Sequence, residues 1–249
     1  MPLPTAHSTY WSATRSPRYS LLFALPLLAA YEALAWALGR GGHSAVRNGA
    51  DVLLKSLFVL LGGEHGLALF SLALLGGGAV LVARDLRRRG APRPAVFGGM
   101  VAESVVYALL LGGVVSLLTT LVLTGRLAAA QGGALATFDL PTQIMVSLGA
   151  GLYEELLFRV VIVTALAVLA AKLLRWRPLA AGSFAAVLGA LIFSAFHYVG
   201  PYGDPFQLGS FTFRAIAGLL FSVMYLTRGF GIAAWSHALY DVFLALGGR

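Results

Sequence analysis

Long apolar runs dominate this chain and leave few folds open to it. Of its 249 residues, 59% are hydrophobic and only 11% are charged, whereas a soluble domain carries about a quarter charged residues. A helix needs roughly 20 apolar residues to cross a bilayer. Seven runs approach or exceed that length: 19–38, 65–83, 95–124, 142–171, 179–199, 211–227 and 230–247. The sequence therefore predicts an all-α polytopic transmembrane helix bundle, a single integral membrane domain over residues 1–249.

Two of the apolar stretches do not fit a straight crossing. Residues 50–62 are short and carry Asp51 and Lys55, so we expect an interfacial or re-entrant helix there. If this stretch does cross, the number of spans rises from seven to eight. The run 142–171 is too long, and we expect Gly149 and Gly151 to break it, leaving 142–149 as a lead-in and 150–171 as the membrane helix.

The N-terminus is polar over residues 1–18, and we expect a loosely ordered tail there. The apolar run that follows is too long for a signal peptide and contains Pro26 and Glu32, with no clear cleavage site behind it. The first span is therefore expected to stay in the protein.

Charges between the runs orient the bundle. The segments 84–94 and 172–178 carry five and three basic residues, while 125–141 and 200–210 carry only Arg126 between them. The positive-inside rule places the two basic segments in the cytoplasm. Because the net charge of +8 falls largely in such short loops, it indicates contact with the lipid bilayer and no nucleic-acid partner. We expect a multi-pass protein of the bacterial inner membrane.

Three ionisable residues interrupt the run 142–171: Glu154, Glu155 and Arg159. Charged groups in a bilayer cost several kcal/mol and are usually functional or paired. Glu155 and Arg159 are four residues apart, on one helical face, and can pair. Glu154 points about 100° away from Glu155 on an α-helix. It is therefore free for another role, and the sequence predicts a buried polar site around it.

Two further polar motifs follow on later apolar runs: Phe193-x-x-x-His197 and His237-x-x-x-Asp241. With EELLFR at 154–159, FSAFH at 193–197 and HALYD at 237–241, the chain resembles the CPBP family, the CAAX-protease and bacteriocin-processing group of glutamic-type intramembrane endopeptidases. The resemblance covers about residues 142–247, which we regard as the motif-bearing core. It rests on three motifs in the family's order, each on its own apolar helix.

The resemblance implies a role for each motif residue. Glu154 would activate a water molecule, and His197 would hold that water with it. His237 and Asp241 would stabilise the oxyanion. Glu155, Arg159 and Phe193 would be structural neighbours of these four. The prenyl endopeptidases of the family usually have Asn where this chain has Asp241, and an ionised Asp cannot donate a hydrogen bond. Asp241 would then be protonated, or would instead orient and charge His237.

The expected activity is hydrolysis of a peptide bond by a water that Glu154 and His197 activate, with no cofactor required. A carboxylate in apolar surroundings suits a general base, and His237 can supply a donor to the oxyanion. A zinc-dependent CAAX-type prenyl protease is an alternative, since Glu154, His197 and His237 form a reasonable zinc set. The chain has no Cys and no HExxH motif, which excludes a Cys nucleophile and disfavours that type of zinc protease.

The expected substrate is a membrane-anchored or lipid-modified protein. By the topology above, Glu154 and His197 lie in the outer half of the membrane, which favours an exported or tethered protein, with a C-terminal sorting segment as in the sortase-like branch of the family. A non-catalytic scaffold or immunity protein of the same fold stays an alternative. A proton-coupled transporter is a weaker one, since no inverted repeat is found.

Two further acids, Glu32 and Glu103, lie in apolar runs outside the three motifs. We expect neither to be catalytic. Glu32 is expected either to contact the residues that hold the site or to form a helix–helix hydrogen bond. Glu103 is expected to face the membrane interface near the arginine-rich segment 84–94.

Overall fold

The computed structural model describes residues 9–40, 46–123 and 137–247, and every regular element in these ranges is helical. The α-helices are α1 (Tyr10–Ala13), α2 (Pro17–Arg40), α3 (Gly49–Gly62), α4 (Gly66–Ser71), α5 (Gly77–Arg89), α6 (Pro94–Val122), α7 (Leu140–Gly149), α8 (Thr164–Leu173), α9 (Pro178–Phe196), α10 (Leu208–Arg228) and α11 (Phe230–Gly247). A 3₁₀ turn, Gly63–His65, joins α3 to α4, and π-helical segments at Leu72–Gly76 and Ala150–Val163 connect α4 to α5 and α7 to α8.

Seven helical stretches in the described ranges are long and apolar enough to cross a membrane. Six of them agree with the predicted runs to within three residues at each end. The seventh, Gly49–Arg89, unites the predicted span 65–83 with the short stretch 50–62. The all-α polytopic bundle is confirmed, and the chain is a multi-pass integral membrane protein.

The stretch Gly49–Arg89 is a hairpin of two helical arms. The rings of Phe58 in α3 and Phe70 in α4 lie 5.4 Å apart, although twelve residues of straight helix would separate them by about 18 Å. The chain reverses at Gly63, whose φ is +54°, and a Cβ at Gly66 would come within 2.4 Å of the Cα of Val59. The 14-residue α3 is therefore the short arm of this hairpin. Its expected interfacial or re-entrant place in the membrane stays a prediction.

The predicted break in the fourth span is wrong. Helix α7, the π-helical segment and α8 follow one another without interruption, and at Ala150 the winding widens to the i→i+5 bonding of a π-helix. The two glycines admit neighbours instead. A Cβ at Gly149 would lie 2.5 Å from the ring of Tyr31, and one at Gly151 would lie 2.3 Å from the carbonyl oxygen of Ala234. This close approach brings α2 and α11 against the site-bearing helix.

The described part of the predicted N-terminal tail is packed. Thr14 and Arg18 are buried, and Nη1 of Arg18 donates to the carbonyl of Gly90 at 2.6 Å. Residues 1–8 lie outside the described ranges. The expectation of a loose tail is therefore wrong from Tyr10 onward. Short helix α1 packs against α6 and the end of α10, and the start of α2 packs against the segment after α5.

Glu103 is held by a basic residue distant in sequence. Arg228 donates to both of its carboxylate oxygens, at 2.5 and 2.7 Å, and Tyr10 donates to one of them at 2.7 Å. Burial, with Glu103 beside it, raises the pKa of Tyr10 to about 12, so the hydroxyl stays a donor. Glu103 therefore ties α6 to the end of α10. Its expected place at the membrane interface near segment 84–94 stays a prediction.

Candidate active site

Glu154 and His197 lie together, as the motif order predicts. Oε2 of Glu154 is 4.0 Å from Nε2 of His197, and Glu154 is buried. Nδ1 of His197 lies 2.9 Å from the carbonyl oxygen of Phe193. Because a carbonyl only accepts, Nδ1 carries the proton, and in the neutral imidazole Nε2 presents a lone pair towards Glu154. Two acceptors therefore face each other across a gap too long for a direct hydrogen bond.

The other oxygen of Glu154 binds a residue that the sequence analysis did not single out. Nδ2 of Asn48 donates to Oε1 of Glu154 at 2.8 Å, from the residue just before α3. Oε2 has no hydrogen-bond partner among the described residues. The one available sequence sign of Asn48 was its place ahead of a helix, where Asn is a preferred N-cap. The carboxylate is thus engaged on one oxygen and open on the other.

Glu155 is enclosed by two cationic or proton-donating side chains. Nη1 of Arg159 lies 3.1 Å from Oε1 of Glu155, so the predicted pairing is present. Nδ1 of His237 lies 2.8 Å from the same oxygen. The contact to His237 was not predicted, because α11 is distant in sequence. Glu155 therefore links the buried arginine to the histidine of the last helix.

Aromatic rings pack against Arg159 and His237 in this part of the site. The guanidinium of Arg159 lies over the ring of Phe193 at 4.4 Å, and the ring of His237 stacks on Phe221 at 4.3 Å. Phe193 contacts both histidines, with ring centroids 4.9 Å from His197 and 6.0 Å from His237. The first residue of the Phe193-x-x-x-His197 motif is thus the spacer that sets both imidazoles, which agrees with its expected structural place.

Asp241 lies beside His237 on α11. Its Oδ2 is 3.5 Å from Nε2 of His237, while Nδ1 of the same ring is directed to Glu155. The imidazole is therefore flanked by a carboxylate at each nitrogen. This is the geometry expected of the second alternative for Asp241, in which it orients His237.

Comparison with known proteins places these motifs in a family. Residues 136–243 match the family model described as Type II CAAX prenyl endopeptidase Rce1-like. This match places residues 136–243 in the CAAX protease, or CPBP, family. The matched region contains all three motifs, and the family is one of intramembrane endopeptidases. No curated protein and no solved structure matches the chain.

Glu154, His197 and His237 are the three residues of the alternative zinc set. Within the part of the chain that the structure describes, no group of three or more His, Cys, Asp or Glu side chains is arranged to hold a metal ion. Glu154, His197 and His237 therefore do not form a ready-made metal site as these side chains lie.

A second polar cluster surrounds Glu32 of α2 and includes Tyr153, the residue before Glu154. Arg47 and Lys55 contact the Glu32 carboxylate at 3.1 and 3.2 Å, and the hydroxyl of Tyr153 donates to it at 3.0 Å. Both cations also pair with Asp51, at 3.0 and 2.7 Å. Glu32 therefore joins α2 to the π-helical segment through a hydrogen bond from Tyr153, one of the two roles expected for it. It also forms ion pairs that the sequence analysis had not predicted.

Proposed function

We propose that this CAAX protease family member is an intramembrane endopeptidase in which a water held by Glu154 and His197 attacks the peptide bond. The observation that carries the proposal is the pair of facing acceptors, Oε2 of Glu154 and Nε2 of His197, 4.0 Å apart. A water can donate one hydrogen bond to each of two such acceptors. Its oxygen lone pairs then stay free for a carbonyl carbon.

The first chemical step transfers one proton and forms one bond. Glu154 takes a proton from the water as the oxygen bonds to the carbonyl carbon of the substrate. His197 accepts the second hydrogen bond and keeps the water aimed. The carbonyl oxygen becomes an oxyanion, which requires a donor at that moment.

His237 is the proposed donor to the oxyanion. Its Nδ1 is held by Glu155, so its Nε2, protonated in the imidazolium, is the atom that can turn to the substrate oxygen. Asp241, next to Nε2, favours the charged imidazolium that carries this proton. When the carbon–nitrogen bond breaks, Glu154 gives its proton to the leaving amine. The products are a carboxylic acid and an amine, and Glu154 returns to its ionised form.

The proposed substrate is a membrane-anchored or lipid-modified protein. The loop after His197 carries no Lys or Arg from Tyr198 to Ser210, which favours the non-cytoplasmic side. An exported or tethered protein, with a C-terminal sorting segment as one form, therefore fits better than a cytosolic tail. No cofactor is required in this mechanism.

The test compares membrane proteomes of four strains: wild type, deletion, Glu154→Ala and Glu64→Ala. Loss of a general base lowers a rate by roughly 10²–10⁴-fold, so the deletion and Glu154→Ala strains should retain the same uncleaved proteins. Glu64 is an exposed acid on the hairpin turn, and its substitution should leave cleavage as in wild type. Mass spectrometry of new termini identifies the cleaved bonds.

Two results would contradict the proposal. A Glu154→Ala strain that cleaves like wild type would indicate a non-catalytic scaffold or immunity protein, or a different base. Purified protein that loses its activity to a strong chelator and regains it with zinc would replace the metal-free mechanism with the zinc-dependent one. Activity that survives the chelator supports the water held by Glu154 and His197.

A further inference from the structure

Asn48 lies between the start of α3 and the carboxylate of Glu154. Its Oδ1 accepts from the backbone N–H groups of Ala50 and Asp51, at 2.9 and 3.4 Å, and so caps α3. Its Nδ2 donates to Glu154 at 2.8 Å. The side chain is buried, so neither contact is shared with bulk solvent. One amide thus joins the start of α3 to a residue 106 positions later.

The start of α3 is itself fixed from two sides. The hydroxyl of Tyr31 donates to Asp51 at 2.7 Å, and its oxygen accepts from the backbone N–H of Asn48 at 3.3 Å. Arg47 and Lys55 bridge Asp51 to Glu32. Fully buried Asp51 is therefore held by three side chains: Tyr31 of α2, Lys55 of α3 and Arg47, which precedes α3. Such a network leaves Asn48 little freedom to move relative to the bundle.

Gly149, the last residue of α7, leaves space for Asn48. A Cβ on Gly149 would lie 2.8 Å from the Cβ of Asn48 and 2.5 Å from the ring of Tyr31. Any larger residue at this position would displace the start of α3. Because Gly149 lies five residues before Glu154, the space it leaves lets the amide reach the carboxylate.

We propose that Asn48 is a positioning residue for Glu154, and that the start of α3 holds it in place. By holding Oε1, the amide directs Oε2 towards His197 and leaves that single oxygen to act as the base. This inference rests on the proposed function of Glu154. It extends the site beyond the region matched by the family model, to a segment that ends before residue 136.

The test uses two substitutions that separate capping from positioning. Asn48→Ser and Asn48→Asp both keep a good N-cap for α3, but neither can donate to Glu154 as the amide does. A hydrogen bond to a charged group is worth about 1.5–3 kcal/mol, so we expect at least about a tenfold loss of cleavage rate with the melting temperature kept. Asn48→Asp should lose more, because it adds an acceptor and a like charge. Thr119→Val, equally buried but on α6, is the control.

An infrared measurement provides a readout that does not depend on activity. In nanodiscs, the carboxylate band of Glu154 is isolated by subtracting the spectrum of Glu154→Gln in each background. We expect the band to shift in both Asn48 variants and to stay in place in Thr119→Val. A merely structural role at the helix start would leave the band unchanged in variants that keep the cap.

The outcomes separate this inference from the proposed function. An unshifted band with wild-type cleavage in both Asn48 variants overturns the positioning role and leaves the base assignment standing. Cleavage that survives Glu154→Gln overturns the base assignment itself. If one Asn48 variant does not fold, the infrared band of the other still decides the question.

Discussion

At the scale of single residues, the two adjacent glutamates have separate environments. Glu154 has one oxygen held by Asn48 and the other facing His197. Glu155 is fully buried, and one of its oxygens contacts both Arg159 and His237. A carboxylate that keeps an open oxygen can take a proton, whereas one enclosed by a cation and an imidazole serves to hold them. Glu154 is thus suited to accept a proton, and Glu155 is suited to hold Arg159 and His237 in place.

The first prediction concerns this contrast. Glu155→Gln leaves the buried Arg159 without its counter-charge, and breaking a buried ion pair costs about 3–5 kcal/mol. We expect a lower melting temperature of the purified protein as well as loss of cleavage. Glu154→Gln should abolish cleavage with a melting temperature near that of wild type, because the amide oxygen of Gln can still accept from Asn48. Equal melting temperatures for both variants would contradict the assignment.

At the scale of elements, the site depends on two departures from straight α-helix. The hairpin of α3 and α4 places a helix start inside the bundle, where Asn48 reaches Glu154. The π-helical segment Ala150–Val163 carries both glutamates and Arg159, and π-helical turns are frequent at functional sites. Helix α11 packs on this segment through the gap at Gly151. The π-helical segment and α11 therefore come into close contact at Gly151, which has no side chain.

The second prediction tests that packing. In Gly151→Ala the new Cβ would meet the backbone oxygen of Ala234 at 2.3 Å, and overpacking costs about 1–3 kcal/mol. Because α11 carries His237, we expect both the melting temperature and the cleavage rate to fall. Gly113→Ala on α6 is the matched control, since a Cβ there has no atom of the described structure within 4 Å. A Gly151→Ala protein as stable and active as Gly113→Ala would show that the close approach is not needed.

At the scale of the whole molecule, contacts gather several basic residues at one end of the bundle. Arg18 donates to Gly90, beside the basic end of α5, and Arg15 donates to Leu226 at the end of α10. Arg15 and Arg18 therefore lie at the same end of the bundle as segment 84–94 and the end of α10. The basic segment 172–178 leads into the start of α9, and the loop after His197 follows the end of α9. Which end faces the cytoplasm stays a prediction from loop charge.

The third prediction addresses the orientation. The chain has no Cys, so single cysteines can be labelled without background. Tyr202 is exposed in the loop after α9, and Arg88 is exposed at the end of α5. We expect Tyr202→Cys to react with an impermeant maleimide added to intact cells, and Arg88→Cys to react only after the membrane is opened. The reverse pattern would place the site towards the cytoplasm and favour a cytosolic prenylated substrate.

The sequence by itself determined the features that depend on short distances along the chain. Apolar runs of membrane length predicted the seven helical stretches, since burying a helix in lipid requires only local composition. Spacings of four residues predicted the contacts of Glu155 with Arg159 and of His237 with Asp241, because such residues share a helical face. The order of the three motifs predicted the family.

Only the tertiary structure decided which distant residues meet. Asn48 and Glu154 are 106 positions apart, and Glu155 and His237 are 82 apart, so no helical periodicity connects them. The hairpin at Gly63–His65 and the close approach at Gly151 depend on how helices pack, and packing of small residues in a membrane leaves only a weak trace in one sequence. The sequence thus identified Glu154 as the unusual acid, and the fold showed which of its oxygens is held and which is open.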